Sequence, residues 1–243
     1  MLRIFSKSDI GLVRKSNEDA CKSGILPDGA AWAVVCDGMG GANGGDVASG
    51  IAVDRISEQI LTGYSAEIGE EEIQNLISEA VLNANDAVHD RAGADEALSG
   101  MGTTVVVAVV SRGVARIAHA GDSRAYLITR DGIRQLTTDH SMVQELVDKG
   151  DLTVQEAKKH PQKNVITRAL GVDSFLQADY CKVPFPEGSR LLICTDGLTN
   201  YVDEEQIFRL AQEMDADDLT GRLVAQAKQA GGSDNITVTV VEN

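Results

Sequence analysis

Histidine and cysteine are scarce in this chain, four of each in 243 residues, and no C-x-x-C pair occurs. A zinc site therefore lacks both donors and its spacing signature. A chain of this length needs no disulfide framework, so a reducing compartment is the simplest context for Cys21, Cys36, Cys181 and Cys194. Cys36 and Cys194 lie in apolar runs and read as small buried hydrophobes, not nucleophiles. Proline is equally rare, concentrated only in VPFPEG at 183–188, and there is no low-complexity tract or fixed-period repeat. With no linker in sight, a single domain over residues 1–243 is expected. The longest apolar run, VVVAVV at 105–110, is too short to span a bilayer. The opening MLRIFSKSDIG is too polar for a secretory signal, so neither membrane insertion nor export is expected and the cytoplasm is the expected location. Basic residues are outnumbered 22 to 37, a formal charge of -15 that argues against nucleic-acid partners and suits cation binding.

What is present is a set of short runs rich in Val, Ile, Thr and Ala, at about 30–36, 103–110, 114–120, 124–129, 189–195 and 235–241, which predict strands. The connections SRG and GDS are short enough to suggest antiparallel hairpins. Val47, Ile51, Ile56 and Ile60 make one helical stripe, and Ile73, Leu76, Ile77, Ala80, Ala84 and Val88 another. Asp203 and Asp217 are candidate N-caps for two later helices. Helices in adjacent pairs and strands in adjacent runs point to an antiparallel α+β protein. Between Thr138 and Gly171 the pattern changes to a short helix at about 140–149 and a second opened by Thr153 and Glu156 as a capping box. Lys158, Lys159, His160, Lys163 and Arg168 make this excursion locally basic, compatible with a solvated face or with substrate contact.

Four acids share one arrangement, an apolar run followed by aspartate and a turn-forming residue: Asp37 in AVVCDGMGG, Asp122 in IAHAGDSR, Asp196 in LLICTDGLT and Asp234 in GGSDNITVTV. Any one alone is an ordinary Asx turn. Four brought together would repel one another unless cations neutralised them. An oxygen-only donor set favours Mg²⁺ or Mn²⁺ over Zn²⁺. The glycine-rich turn after Asp37 is a poor dinucleotide cradle, because Asn43 stands where the third glycine belongs and a carboxylate precedes the turn. Gly38, lacking a side chain, can instead offer its carbonyl to an ion. GLVRKSNEDA adds Arg14, Glu18 and Asp19, and a guanidinium beside such a cluster can be a salt-bridge partner or, with metals nearby, bind two oxygens of a phosphate. No D-x-[DN]-x-[DN]-G loop with its distal glutamate is present, which counts against a calcium-binding structural protein.

The ordered stretches GLVRKSNED, VVCDGMGG, SGMGTTVVV, AHAGDSRAYL, LTTDHS, VITRALG, LLICTDGLTN and GGSDNITVTVV resemble the metal-dependent serine/threonine protein phosphatases of the type 2C class, in their stand-alone bacterial form. The resemblance runs the length of the chain. It implies a central β-sandwich flanked on each face by a helix pair, with a flap at about 139–170 beside a metal channel. It further implies that Asp37 bridges two Mn²⁺ or Mg²⁺ ions, that Gly38 binds one through its carbonyl, and that Asp196 and Asp234 complete the other. Asp122 and Asp196 would hold a weaker third ion. Glu18 and Asp19 would orient the attacking water, and Arg14 would bind phosphate.

The implied reaction is hydrolysis of phosphoserine and phosphothreonine by water or hydroxide activated at the dinuclear centre, with no phosphoenzyme. Phosphorylated proteins are the implied partners, a cognate serine/threonine kinase among them, and the chain is expected to act as a monomer. Lys158, Lys159 and Lys163 are candidate substrate contacts on the flap. Met39 occupies the place of the histidine that animal members carry two residues after the bridging aspartate. The alternative from another class is a catalytically silent phosphoprotein-binding module of the same fold.

Overall fold

Two antiparallel sheets form the centre of the molecule, a computed structural model describing residues 1–40 and 44–243, so that Asn43 lies outside the described residues. One sheet has the order β1 (Arg3–Asp9), β11 (Ile236–Glu242), β10 (Arg190–Cys194), β7 (Arg124–Ile128) and β8 (Ile133–Gln135). The other has β2 (Asp19–Ile25), β3 (Ala31–Met39), β5 (Val105–Ser111), β6 (Val114–Ala120) and β9 (Asp179–Pro184), with the short β4 (Gly102–Thr103) paired to the end of β3.

Three apolar layers hold four structural layers together. Alternate residues of β3 and β5 divide between two of them. Ala31, Ala33, Val35, Val106, Ala108 and Val110 meet Ala125, Leu127, Leu191 and Ile193 of the opposite sheet. Trp32, Val34, Cys36, Val105, Val107 and Val109 face the other way, against α1 (Gly45–Gly63) and α2 (Glu70–Ala94). The outer face of the first sheet, with Tyr126, Leu192, Val238 and Val240, is covered by α6 (Glu204–Glu213) and α7 (Ala216–Ala230). Because β3 and β5 are covered on both faces, their sequences read as continuous apolar runs without polar alternation. The expected α+β sandwich with helix pairs on both faces is the fold observed.

Both helical stripes pack as their periodicity predicts. Ile56 and Ile60 of α1 are fully buried and Val47 and Ile51 partly so, while every residue of the α2 stripe is buried. Truncating Ile56 to Ala would cost about 2–5 kcal/mol, the range for a buried aliphatic side chain.

Three expectations are corrected. SRG does close a hairpin between β5 and β6, but GDS does not join a hairpin: β6 and β7 belong to different sheets, and the turn carries the chain across the sandwich. That crossing, not a strand pairing, puts Asp122 at the sandwich end. Asp203 caps α6 with its side chain accepting from the Gln206 N–H, but the residue preceding α7 is Asp215, and Asp217 sits inside the first turn. Strands β1, β2, β8 and β9 escaped the periodicity reading. β1 and β9 are sheet edges that carry Arg, Lys, Ser and Asp and are only partly buried, and β8 has three residues.

The flap leaves the second edge of the first sheet after β8 and returns at β9 through α3 (Met142–Asp148) and α4 (Val154–Ala157). Thr153 and Glu156 form the expected capping box, with the Thr153 N–H donating to Glu156 Oε2 at 2.9 Å. A bridge between Ser141 and Ile166 ties its two roots to each other, and one between Thr103 and Leu170 ties it to the body.

Candidate metal and phosphate site

Antiparallel pairing brings one end of several strands together, and the acids occupy that end. Asp19 opens β2, Asp37 and Gly38 close β3, Asp122 follows β6, Asp196 follows β10 as the first residue of the short helix α5 (Asp196–Thr199), and Asp234 precedes β11. Burial raises the Asp37 carboxyl well above its ordinary value, and Asp19, Asp196, Asp122 and Asp234 push it further in the same direction. Burial likewise raises Asp122 to about 8, with Asp196 and Asp139 adding repulsion. Asp196 is raised by burial and then by Asp234. Mutual repulsion of this kind shows the four aspartates to be neighbours in space.

The backbone around Asp37 is fixed on every side. Its N–H donates to Thr104 Oγ1 at 2.9 Å, and its carbonyl accepts from the Thr103 hydroxyl at 2.9 Å and the Thr104 N–H at 2.9 Å. The carboxylate is the part of the residue left for chemistry. A Cβ on Gly38 would stand 2.0 Å from the Gly45 carbonyl oxygen and 2.7 Å from that of Glu18, so the start of α1 can approach only because there is no side chain.

Asp19 lies directly opposite Asp37 in the β2–β3 register. Its Oδ2 accepts from the Thr195 hydroxyl at 2.9 Å, whereas its Oδ1 is buried with no hydrogen-bond partner among the described residues. Burial, with Asp196 and Asp234 nearby, raises this carboxyl to about 7. An orphaned buried carboxylate oxygen beside repelling acids fits a divalent cation and its water shell. The donor set is all oxygen, which suits a hard ion.

Arg14, in the loop between β1 and β2, places Nη2 2.9 Å from Asp234 Oδ2, and its side chain remains half exposed at the rim. Glu18 is raised by partial burial, against the pull of Arg14. The Arg14 loop is stitched down by Asn235, whose Oδ1 accepts from the Glu18 N–H at 2.8 Å and whose Nδ2 donates to the carbonyls of Ile10 and Ser16.

The flap lysines do not act as one face. Lys158 and Lys159 are exposed at the end of α4. Lys163 instead donates to Asn200 Oδ1 at 2.7 Å, and Asn200 Nδ2 donates to Asp196 Oδ2 at 2.9 Å. Arg168 turns away from the flap surface to pair with Asp179 at 3.1 Å. The basic island is thus divided between solvent, the acidic site and the root of the flap.

Several residues of the site were not singled out by sequence reasoning although they lie within the quoted motifs. Arg124 grips Asp139 with three hydrogen bonds, 2.9, 3.1 and 2.6 Å, beside Asp122. Thr104 Oγ1 links the Asp37 N–H to Ser123 Oγ, 2.7 Å away. Thr195, Asn200 and Asn235 each hold one of the acids or its loop. A polar residue at the end of an apolar strand was the available signal.

Residues 13–229 match the protein phosphatase 2C family. The chain belongs to that family. It is 38% identical over 239 residues, 97% of its own length and 94% of the relative's, to the serine/threonine phosphatase stp of Listeria innocua. The structure of the serine/threonine phosphatase Stp1 from Staphylococcus aureus superposes with a TM-score of 0.94 at 34% identity, covering 100% of this chain and 95% of that one. The catalytic domain of the serine/threonine protein phosphatase PstP, solved with two manganese ions, superposes at 0.86 with 31% identity, covering 99% and 97%. Membership makes this chain a serine/threonine protein phosphatase dependent on divalent metal, and its substrates phosphoproteins. No helix among the described residues is long and apolar enough to cross a membrane.

Proposed function

We propose that Asp37, Gly38, Asp196 and Asp234 hold a bridged pair of Mn²⁺ or Mg²⁺ ions, that Asp122 with Asp196 holds a weaker third, and that residues 1–243 work as one monomeric domain in the cytoplasm against a serine/threonine kinase. The observation that carries the metal assignment is the convergence of the carboxyls of Asp19, Asp37, Asp122, Asp196 and Asp234, with Asp19 Oδ1 buried and without a hydrogen-bond partner among the described residues.

Bound ions supply Lewis-acid neutralisation of the phosphoryl group and lower the pKa of the attacking water. Around them the chain's own groups position and exclude. Arg14 reaches the phosphoryl oxygens from the rim, where its half-exposed guanidinium can exchange Asp234 for a phosphate and bind it with two parallel donors. Glu18 and Asp19 accept the hydrogens of the attacking water, Asp19 through the oxygen that has no partner among the described residues. The fixed Asp37 backbone keeps its carboxylate in place as charge develops, so little reorganisation accompanies the in-line displacement. The proton lost by the attacking water is returned through solvent to the serine or threonine oxygen, which leaves as the hydroxyl, since Met39 has none to give.

The test is hydrolysis of p-nitrophenyl phosphate and of a phosphothreonine peptide with Mn²⁺, with Mg²⁺ and with excess EDTA. Turnover of both substrates with metal and its loss in chelator is expected. Full turnover in EDTA overturns the metal assignment, and peptide binding without turnover in any metal would indicate a silent binding module.

A further inference from the structure

At the root of the flap, His119, His140 and Asp179, none of them among the aspartates of the site, each present a ligand-type atom within 4.8 Å of the others. The spacing would suit a metal ion, but the hydrogen bonding assigns the cluster a different role. The Gly121 N–H, which can only donate, lies 3.2 Å from His140 Nδ1. The Arg168 Nη1–H, also a donor only, lies 3.2 Å from Nε2, and a neutral ring has one lone pair to offer; the Asp179 carboxylate beside Nε2, which can only accept, decides between them, so Nδ1 carries the lone pair and the proton sits on Nε2. Nε2 then donates to Asp179 Oδ2 at 3.3 Å and has no lone pair for a metal. Arg168 fills the remaining space, its Nη1 3.1 Å from Asp179 Oδ1 and 3.2 Å from His140 Nε2, a cation where an ion would have to sit.

The same bonds connect the flap to Asp122. The His140 N–H donates to the Gly121 carbonyl at 2.9 Å, so His140 grips both polar groups of the residue immediately before Asp122, one with its backbone and one with its ring. Gly121 has φ 106°, and a Cβ there would stand 2.6 Å from the Thr104 side chain. The Gly121 peptide is thus wedged between Thr104, which holds Asp37, and His140, which belongs to the flap. On its far side the His140 carbonyl accepts from the Thr167 N–H at 2.8 Å, closing the two roots of the flap on each other. His119 backs the arrangement: its ring stacks on His140 at 4.8 Å with an interplanar angle of 14°, and its Nε2 donates to the Thr138 carbonyl at 2.9 Å.

We propose that His140 is a positioning residue for catalysis, aiming Asp122 through the Gly121 peptide and coupling that aim to the seating of the flap. The inference rests on the assignment of Asp122 to the weaker ion. His140 touches neither substrate nor metal ligand side chain. Its Nδ1 contact is the one that matters to Asp122, and its Nε2 contact serves the flap.

The two nitrogens can be tested separately. In His140→Asn the amide oxygen takes the place of Nδ1 and can still accept from Gly121. In His140→Gln the side chain reaches the Nε2 position and leaves Gly121 without an acceptor. The measurements are Mn²⁺ binding by calorimetry, p-nitrophenyl phosphate kinetics, and melting temperature, with Asp122→Ala as the reference for loss of the weaker ion. His140→Gln should weaken the weaker Mn²⁺ site and lower kcat by about 10-fold or more, as for other groups that orient a metal ligand, with KM little changed. His140→Asn should restore most of both. Asp179→Asn, which disturbs the Nε2 side and the Arg168 pair but leaves the Gly121 contact in place, should leave Mn²⁺ binding unchanged.

Mn²⁺ binding and kcat in a folded His140→Gln protein equal to wild type would overturn the proposal. Equal losses in the Asn and Gln variants, with Mn²⁺ binding intact in both, would overturn it as well, by reducing His140 to a packing role. A wild-type chain that binds no weaker Mn²⁺ would instead refute the assignment of Asp122, and the proposal with it.

Discussion

Asp19 and Asp37 are paired directly across antiparallel strands β2 and β3, two carboxylates side by side at the end of the sandwich. Like charges in such a cross-strand pair destabilise a sheet, so the register places at the site a cost that a bound cation removes. Stability is here given up for a preformed site.

The first prediction follows from that cost. Asp19 at about 7 and Asp122 at about 8 both lie above their ordinary 3.8, so between these values the folded chain holds more protons than the unfolded one. Their contribution is complete below 3.8 and is lost as pH rises toward about 7 and about 8. His119 and His140, lowered by burial, act in the opposite sense but only below their ordinary 6.5. A comparison between about pH 6.5 and 8.5 therefore isolates the acids. In chelator the melting temperature should fall across that interval. Mn²⁺ should restore it and release protons near pH 6.5, measurable by calorimetry in buffers of different ionisation enthalpy. A flat melting temperature with no proton release would contradict the account.

Asp37 and Asp122 should separate on substitution. Asp37→Asn removes charge shared between two ions and should lower kcat by about a thousand-fold, the upper range for losing one preorganised electrostatic group. Asp122→Ala should keep two tight Mn²⁺ ions and still turn over slowly. Calorimetric loss of the tight pair in Asp122→Ala would place that residue in the wrong site.

Arg14→Ala should weaken every phosphorylated substrate by about 1.5–3 kcal/mol, the worth of a charge-assisted pair. Arg14→Lys should recover only part of this, since one ammonium cannot supply two parallel donors. Steady-state kinetics on p-nitrophenyl phosphate checks it, and a full recovery by lysine would show that only charge matters at the rim.

The legible parts of this molecule share a physical cause. Asp37 and Asp196 announce themselves because each ends a strand covered on both faces, so an acid stands abruptly after an unbroken apolar run. The stripe of α2 is equally plain, since one helix face meets one sheet. Strands β1 and β9 were not legible, because an edge strand buries too little to need alternation. Nor could sequence reveal that Arg168 pairs with Asp179, that His140 clamps Gly121, or that GDS crosses between sheets. Those partners are set by how the flap folds back on the sandwich, and no local pattern encodes that return. Lys163 illustrates the consequence: its neighbours in sequence suggest a solvated basic face, and its neighbour in space is Asn200.

That division of the flap lysines yields the last prediction. Lys158 and Lys159 are exposed and pair with none of the site's aspartates among the described residues, so Lys158→Ser with Lys159→Ser should leave p-nitrophenyl phosphate hydrolysis unchanged. If their charge attracts acidic phosphopeptides, KM for such peptides should rise by a few-fold at low salt and converge on wild type at high salt, as screening removes a surface attraction. Lys163→Ser should behave otherwise. Lys163 lowers the carboxyl of Asp196 through space and holds Asn200, which donates to that carboxylate. Its loss should reduce kcat on the small and the peptide substrate alike, by about 3–10-fold, within the range of a single charged hydrogen bond. Asn200→Ala should reproduce most of the effect, and the double variant should fall no further, because both act along one chain of bonds. Independent, additive losses would mean that Lys163 reaches the substrate directly. No loss with Lys163→Ser on either substrate would mean that the contact with Asn200 is incidental to catalysis.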